Sequence, residues 1–326
     1  MCRPNGIWRW KRNQHFPIRD CDSKEELMNL FVFGLGYSAL HFVAKHRNAF
    51  VSISGTVRSL EKAEALAVDG IQAFVWDGGK PCAAMLTAIA DCDDVIISVP
   101  PGKEGDLVLS RFGKALQDAL LLRTIVYLST VGVYGDHGGA WVDEDTQPRP
   151  GSVRSTQRLQ AEQNWAAFAQ TKGCNLHILR LAGIYGPGRS AIDNLRSGTA
   201  RRIIKPGQVF NRIHADDIAA VISACLNRQT RRETAVWRET AVWNVSDDEP
   251  APPQDVVAYA ADLLSMQPPP EIPFEDAQLS AMGRSFYSEV KRVSNARIKQ
   301  KLAIALACPT YREGLENLLQ RDSGPC

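Results

Sequence analysis

A glycine-rich stretch at residues 31–39 contains the residues best suited to binding chemistry. A short apolar run leads into Gly34-x-Gly36-x-x-Ala39. Where a strand is followed by a helix, glycines at this spacing are typical of a dinucleotide-binding loop. Gly34 permits the tight turn, Gly36 lets backbone N–H groups approach the pyrophosphate, and Ala39 allows the helix to pack closely on the strand. The positive end of the helix dipole, which begins at Tyr37, would face the phosphates.

The neighbouring sequence gives this motif the expected surroundings. An amphipathic run with Leu40, Phe42 and Val43 follows it and predicts a helix, and a second strand-like run at 50–54 comes at the distance of a β-α-β unit. On spacing alone, an ordinary glycine turn explains the motif equally well. The surroundings therefore make a nucleotide site the preferred interpretation.

The end of the second predicted strand indicates which nucleotide would bind. An NAD enzyme usually has Asp or Glu there for the ribose 2′-hydroxyl group, whereas this chain has Gly55-Thr56-Val-Arg58-Ser59, with Lys62 one turn later. A cation and hydroxyl groups suit a 2′-phosphate, so NADP is the favoured cofactor and NAD the alternative. A solvated arginine at a strand end is the other explanation of Arg58.

Strand-like and helix-like runs alternate through the first 180 residues, which predicts a parallel sheet covered by helices on both faces. Val99 and Pro100 end the fourth strand at the carboxyl edge, where open α/β sheets bind ligands. The predicted class is α/β with a doubly wound parallel sheet. We expect strands near 30–34, 50–54, 71–76, 94–99, 124–129 and 175–180, and helices at 37–47, 59–68, 104–121 and 154–172.

Composition excludes several other classes of protein. The chain has 326 residues and a net charge of +2, which argues against a nucleic-acid-binding protein. Since no apolar run approaches the roughly 18 to 20 residues of a membrane helix, we expect a soluble protein that contacts no membrane. The eight cysteines are scattered without a C-x-x-C pair, so neither a metal site nor a disulfide framework is indicated, and a cytoplasmic location follows.

A second signature lies around residue 130 and precedes Asp143-Glu144. It reads Ile125-Val-Tyr-Leu-Ser129-Thr130-Val-Gly-Val-Tyr134-Gly135, and segments at 179–189, 211–217, 244–250 and 291–295 follow it in order. Together they resemble the extended short-chain dehydrogenases/reductases, the NAD-dependent epimerase/dehydratase family, over about 28–320. The resemblance implies a Rossmann-type sheet, a nicotinamide cofactor and a small-molecule substrate. A homodimer is compatible with it.

The family's catalytic Tyr-x-x-x-Lys is missing. In relatives it lies at the start of the helix that carries an Ala-Glu pair, here Ala161-Glu162, and counting back places Arg154 at the Tyr position and Arg158 at the Lys position. A guanidinium group stays protonated at any working pH, so Arg154 cannot exchange the proton that the Tyr would exchange. Arg158 could still hold a ribose or phosphate group. A downstream match, Tyr287-Ser-Glu-Val-Lys291, is best explained by chance.

The resemblance assigns the remaining candidates. Ser129 and Thr130 correspond to hydroxyl groups that orient the substrate carbonyl, although they would equally well end a strand by bonding its backbone. Tyr134 is the phenol nearest to them along the chain and the best substitute acid, with packing under the next loop as the alternative. Asp77, at the end of the third strand, corresponds to an adenine contact.

Three further residues are assigned to the substrate: Tyr185, Arg189 and His214. Arg189 follows Gly-Pro-Gly and suits a phosphate or carboxylate, or else is a surface arginine. His214 precedes a predicted helix that Asp216 or Asp217 would cap, and it more often packs than catalyses.

The segments divide the chain into three parts. Residues 1–27 form an extension outside the family pattern, which we expect to be disordered; 28–185 form the NAD(P)-binding domain; and 186–326 form a substrate-binding region partly interleaved with the sheet. A hexapeptide, Arg-Glu-Thr-Ala-Val-Trp, occurs at 232–237 and again at 238–243. The second copy should be a strand and the first a lengthened loop. The preferred function is an NAD(P)-dependent oxidoreductase or epimerase-like enzyme, and the alternative is an NADP(H)-binding sensor or scaffold without turnover.

Overall fold

The computed structural model describes residues 28–227 and 239–323. The strands are β1 Met28–Phe33, β2 Phe50–Val57, β3 Gln72–Val75, β4 Asp94–Ile97, β5 Thr124–Thr130, β6 Trp141–Val142, β7 Asn175–Leu181, β8 Gly183–Tyr185, β9 Arg202–Ile204, β10 Arg212–His214, β11 Thr240–Val245, β12 Glu271–Pro273 and β13 Arg292–Val293. The α-helices are α1 Tyr37–His46, α2 Leu60–Val68, α3 Ala83–Ala90, α4 Leu107–Asp118, α5 Val153–Lys172, α6 Ala191–Arg196, α7 Ala215–Leu226, α8 Pro253–Leu263, α9 Ala281–Phe286, α10 Ala296–Lys301 and α11 Tyr311–Ser323.

The central sheet has seven parallel strands in the order β11-β7-β5-β4-β1-β2-β3. All six predicted strands are in it, which confirms the α/β, Rossmann-type fold class. The seventh, β11, contains most of the second hexapeptide copy, as predicted, whereas the first copy and residues 1–27 lie outside the described residues. The strand order reverses next to β1, between β4 and β2, and open α/β sheets bind ligands at such a point.

The sheet is buried because alternate side chains of its central strands pack against helices on opposite faces. On one face, Phe31 and Phe33 meet Phe112 of α4 and Trp165 of α5 within one apolar cluster. On the other face, Leu30 and Val32 share a cluster with α1 and α7. This double coverage explains why the strands consist of nearly continuous apolar runs.

Two elements that follow residue 185 complete these layers. Strand β11 is the edge of the central sheet beside β7, and α7 packs against α1. Other strands of this region form small parallel pairs, β9 with β12, β10 with the preceding β8 and β13 with the earlier β6, and an apolar cluster lies between α6, α8 and α11.

The predicted helices agree with α1, α2, α4 and α5, while α3 was missed. Helix α4 is shorter than the predicted 104–121 because the Asp106 side chain caps its N-terminus and Ala119 is extended at its C-terminus. Within 28–227 and 239–323, no helix is both long enough and apolar enough to cross a membrane.

Candidate functional site

The glycine-rich loop between β1 and α1 combines one glycine that the fold requires with one that it does not. Gly34 has a φ of +85°, and a Cβ there would lie 3.0 Å from Val99 Cγ2. Gly36 has an ordinary φ of −88°, and a Cβ there would meet nothing closer than 3.9 Å, at Gly34 O and Ser98 Oγ. The protein's own packing therefore leaves space at Gly36, as expected if another group approaches the backbone there.

Helix α1 opens directly into this space. Its N-cap residue, Gly36, has no side chain to cap it, and the first intrahelical bond runs from Leu40 N to Gly36 O at 2.9 Å. The N–H groups of Tyr37, Ser38 and Ala39 therefore have no partner within the helix, which is how a helix N-terminus binds phosphate. Ala39 is completely buried, as the predicted close packing requires.

Two basic residues stand together at the end of β2. Arg58 is exposed and no carboxylate pairs with it among the described residues. Lys62, half-buried, has a pKa below its usual value because of burial and, second, because of the nearby Arg58 cation. Thr56, also predicted as a cofactor contact, is 2% exposed, and its Oγ1 accepts a hydrogen bond from Gly34 N at 2.8 Å. Thr56 thus supports the glycine-rich loop.

The other predicted cofactor contacts lie at the same edge of the sheet. Asp77 is exposed and one of its oxygens, Oδ1, accepts from Gly79 N at 3.1 Å in a tight turn. Val99 packs against Gly34, and Pro100 is exposed after β4. Asp77 follows β3, and Val99 and Pro100 follow β4. In the sheet order, β3 and β4 lie on opposite sides of β1, the strand that leads into the glycine-rich loop.

Ser129, near the end of β5, belongs to a buried polar network. Its Oγ donates to Glu162 of α5, and Glu162 forms an ion pair of 2.8 Å with Arg180 of β7. All three residues are at most 5% exposed. Because the Ser129 hydroxyl group already donates its proton to Glu162, this serine links β5 to α5 and, through Glu162 and Arg180, to β7.

Tyr134 lies in the same network and not at the sheet edge. Its side chain has no exposed surface, its hydroxyl donates to Asn244 Oδ1 at 2.8 Å, and Arg180 Cζ lies 4.8 Å from the centre of its ring. Burial raises the phenol pKa above its ordinary value. The structure therefore does not favour Tyr134 as a proton donor to a substrate and supports the packing alternative.

The hydroxyl groups that do meet at the edge are those of Thr130 and Ser155. Both oxygens lie 3.4 Å from the point where a Cβ on Gly132 would be. Thr130 Oγ1 accepts from Gly132 N at 3.1 Å, and Ser155 Oγ lies 2.9 Å from Ser152 Oγ at the start of α5. Sequence reasoning missed Ser155, although it directly follows the Arg154 position that replaces the family's Tyr.

The two arginines at the Tyr-x-x-x-Lys positions behave differently. Arg154 is exposed, with Cζ 5.8 Å from the ring centre of Phe286 in α9. Arg158 is half-buried and donates from Nη1 to Leu128 O at 2.9 Å and to Tyr127 Oη at 3.2 Å. Arg158 therefore holds its charge against the end of β5, whereas Arg154 faces solvent.

Two of the predicted substrate contacts, Tyr185 and His214, are packed together in the interior. Their rings meet edge to face at 5.2 Å, and Tyr185 donates to Thr310 O at 3.3 Å. His214 has no exposed surface, and its Nδ1 accepts from Asp216 N at 3.1 Å. His214, and not either aspartate, is thus the N-cap of α7, and the structure does not favour a substrate role for these two residues.

His214, Asp217 and Cys308 lie close enough together to suggest a metal site, but His214 Nδ1 and both Asp217 oxygens already accept backbone hydrogen bonds, while the buried His214 Nε2 has no hydrogen-bond partner in the part of the chain that the structure describes. Because His214 Nδ1 accepts a hydrogen bond, the proton of the neutral ring is on Nε2, where a metal would need a lone pair. The Asp217 oxygens accept from Ala307 N and Cys308 N at 2.6 and 3.2 Å, and burial raises the Cys308 pKa to about 12. We assign this group to the fold.

Tyr287 and Lys291 share no helix, since α9 ends at Phe286. Tyr287 packs against Phe210 and Phe274, and Lys291 donates to Gly135 O at 2.8 Å. The structure thus gives this downstream match no catalytic arrangement.

Comparisons with known proteins agree with this fold. The family model for the NAD-dependent epimerase/dehydratase family matches residues 114–237. The chain is 25% identical over 249 residues to Protein YeeZ of Escherichia coli (strain K12), which covers 73% of this chain and 84% of YeeZ. Among solved structures, a functionally unknown conserved protein from Silicibacter pomeroyi is 44% identical with a TM-score of 0.79, covering 90% of this chain and 99% of the other.

A provisionally named NAD-dependent epimerase/dehydratase from Methylobacillus flagellatus is 26% identical, with a TM-score of 0.69 and coverage of 92% and 100%. MoeE5, solved with UDP-glucose and NAD, shares the fold at 20% identity, with a TM-score of 0.70 and coverage of 91% and 100%. The family model, the segments in their order and the seven-stranded parallel sheet point to one conclusion: the chain belongs to the NAD-dependent epimerase/dehydratase family.

Proposed function

We propose that the protein is an NAD(P)-dependent enzyme of the oxidoreductase or epimerase type. The observation that carries this proposal is the open space at Gly36, which faces the first turn of α1 at the point where the strand order reverses. A Cβ would fit at Gly36 without a clash, so the packing of the fold does not require glycine there. A pyrophosphate that approaches the backbone would require it. MoeE5, which has the same fold, was solved with NAD.

The preferred cofactor in this proposal is NADP. Arg58 and Lys62 place two cations at the end of β2, where an NAD enzyme would have a carboxylate. Burial lowers the Lys62 pKa most and the Arg58 cation lowers it further, and a 2′-phosphate would stabilise both cations by accepting charge-assisted hydrogen bonds from them.

Cofactor binding tests this proposal directly. Titration of the protein with NADPH and NADH, followed by cofactor fluorescence, should show tighter binding of NADPH. Arg58→Ala should weaken NADPH binding about tenfold and leave NADH binding unchanged, since about 1.4 kcal/mol corresponds to a factor of ten. Lys301→Ala, at an exposed position in α10, is the matched control and should change neither affinity. Equal affinities for the two cofactors would refute the NADP assignment.

For turnover, the proposal assigns the substrate oxygen to Thr130. The nicotinamide ring supplies hydride exchange when the cofactor is bound. Thr130 Oγ1 and Ser155 Oγ both lie 3.4 Å from the position of a Cβ on Gly132, so a substrate oxygen near that position could receive hydrogen bonds from both. Arg158, fixed to Leu128 O, adds a permanent positive charge beside the strand end. A proton would pass through these hydroxyl groups and water, since neither arginine can release one.

A second candidate function is a protein that holds NADP(H) without turnover. The absence of a Tyr or Lys at positions 154 and 158, together with the burial of Tyr134, favours it. A screen of aldehydes, ketones, UDP-glucose and UDP-glucuronic acid, with cofactor absorbance and product analysis, separates the two. Turnover that is lost in Thr130→Val supports the enzyme. Tight NADPH binding without turnover of any of these compounds supports the binding protein.

A further inference from the structure

The loop Gly186-Pro-Gly-Arg189, after β8, has a fixed shape. Gly186 and Arg189 exchange two backbone hydrogen bonds, of 3.1 Å from Gly186 N and 3.0 Å from Arg189 N. Ser190 then caps α6 by accepting from Asp193 N at 3.2 Å. The Arg189 backbone is therefore held from both sides, which limits where its side chain can reach.

This loop rests on Tyr37, the first residue of α1. The Tyr37 hydroxyl donates to Pro187 O at 3.2 Å, and a Cβ on Gly186 would lie only 2.6 Å from that hydroxyl. Arg189 Cζ lies 5.7 Å from the centre of the Tyr37 ring. Burial raises the Tyr37 pKa to about 12, and the Arg189 cation opposes that rise. The loop thus places a guanidinium group over the residue whose N–H begins the helix.

Two basic side chains of α1 are already paired with a carboxylate. His41 and Lys45 both pair with Asp216, Lys45 at 2.8 Å, and Arg321 of α11 pairs with the same carboxylate. Arg189 is exposed, and within the described part of the chain no carboxylate forms an ion pair with it. Arg189 is therefore available to pair with a group that carries two negative charges at the first turn of α1.

We infer that Arg189 binds the cofactor pyrophosphate together with the first-turn N–H groups of α1, and that Tyr37 positions it. This inference rests on the proposed cofactor. Arg189, which the sequence analysis assigned to the substrate, is thereby assigned to the cofactor. The loop at 186–189 would then connect the C-terminal region to the glycine-rich loop. Arginine suits this position because its planar donors match phosphate oxygens in pairs.

The test compares two ligands that differ in the pyrophosphate. NADPH contains it, whereas adenosine 2′-monophosphate has only the adenine, the ribose and the 2′-phosphate. Isothermal titration should show that Arg189→Ala weakens NADPH binding about 10- to 100-fold and changes the binding of adenosine 2′-monophosphate less than about twofold. Arg58→Ala should weaken both ligands. Arg196→Ala, an exposed arginine in the next helix, is the matched control and should leave both affinities unchanged.

Tyr37 provides an independent readout of positioning. Tyr37→Phe keeps the ring under Arg189 and should retain most of the NADPH affinity, while Tyr37→Ala should approach the Arg189→Ala value, and the double variant should add little to either. Unchanged NADPH binding in Arg189→Ala, with or without a raised KM for a substrate, would overturn the inference and leave the cofactor proposal standing. A wild-type protein that binds neither of these ligands nor NADH would refute the cofactor proposal itself.

Discussion

Replacing Tyr134 with Phe distinguishes a catalytic phenol from a structural one. The substitution removes one hydroxyl group that donates to Asn244 Oδ1 at 2.8 Å, while the ring keeps its place beside Arg180. Asn244 still donates from Nδ2 to Ser294 O, so the amide should hold its orientation with one oxygen unpaired. Loss of a buried neutral hydrogen bond with an orphaned acceptor costs about 1 to 3 kcal/mol of unfolding free energy.

Two measurements on Tyr134→Phe decide the matter. Urea denaturation should show a fall in unfolding free energy within that range, and NADPH affinity and turnover of the native protein should match the wild type. Thr130→Val is the contrasting variant and should lose turnover, with a stability loss of about 1 kcal/mol because Gly132 N loses its acceptor. If Tyr134→Phe lost turnover by ~10² or more while its stability was unchanged, the phenol would be the proton donor after all, and our interpretation of the buried network would be wrong.

Two further perturbations address the site edge and the interior. Gly132→Ala adds a methyl group 3.4 Å from both Thr130 Oγ1 and Ser155 Oγ, so steady-state kinetics should show kcat/KM reduced about tenfold or more with unchanged NADPH affinity. Gly113→Ala in α4 is the control, and full activity in Gly132→Ala would refute substrate access at that position. Burial, despite the opposing charge of Asp216, lowers the His214 pKa from 6.5 to about 4, so the unfolded chain binds this proton first as the pH falls. Stability should therefore drop by about 3 kcal/mol between pH 6.5 and 4 through this residue, and a His214→Asn variant with an equally steep drop in denaturation experiments would contradict that assignment.

Strand positions could be predicted because each central strand is an apolar run bounded by turn residues. Both faces of the sheet are buried, so every residue of β4 and every residue of β5 except Thr130 is buried, and not only alternate ones. Helix α3 was missed since its exposed positions are largely alanines, which leave no polar face for a periodic pattern to show.

The site was harder to predict because contacts distant in sequence decide it. Tyr134 is close to Ser129 along the chain, but its partner Asn244 lies 110 residues away on β11, and that pairing places the phenol in the interior. His214 precedes two aspartates that would more commonly cap a helix, yet Asp216 is drawn to three basic side chains and Asp217 to the backbone at 307–308. A local sequence pattern does not show which of several distant partners a side chain will bind, so these contacts could not be predicted.

The replacement of Tyr and Lys by two arginines separates two roles that the family combines. A Lys at the second position supplies positive charge, and Arg158 supplies it too, anchored to Leu128 O directly before the Ser129-Thr130 pair. A Tyr at the first position supplies an exchangeable proton, and Arg154 supplies none. Under the function we propose, Arg158 would keep the electrostatic half of the family's arrangement, and the proton of the reaction would pass through Thr130, Ser155 and water. If cofactor binds and no substrate turns over, it is the loss of this proton at position 154, and not a loss of charge, that explains the result.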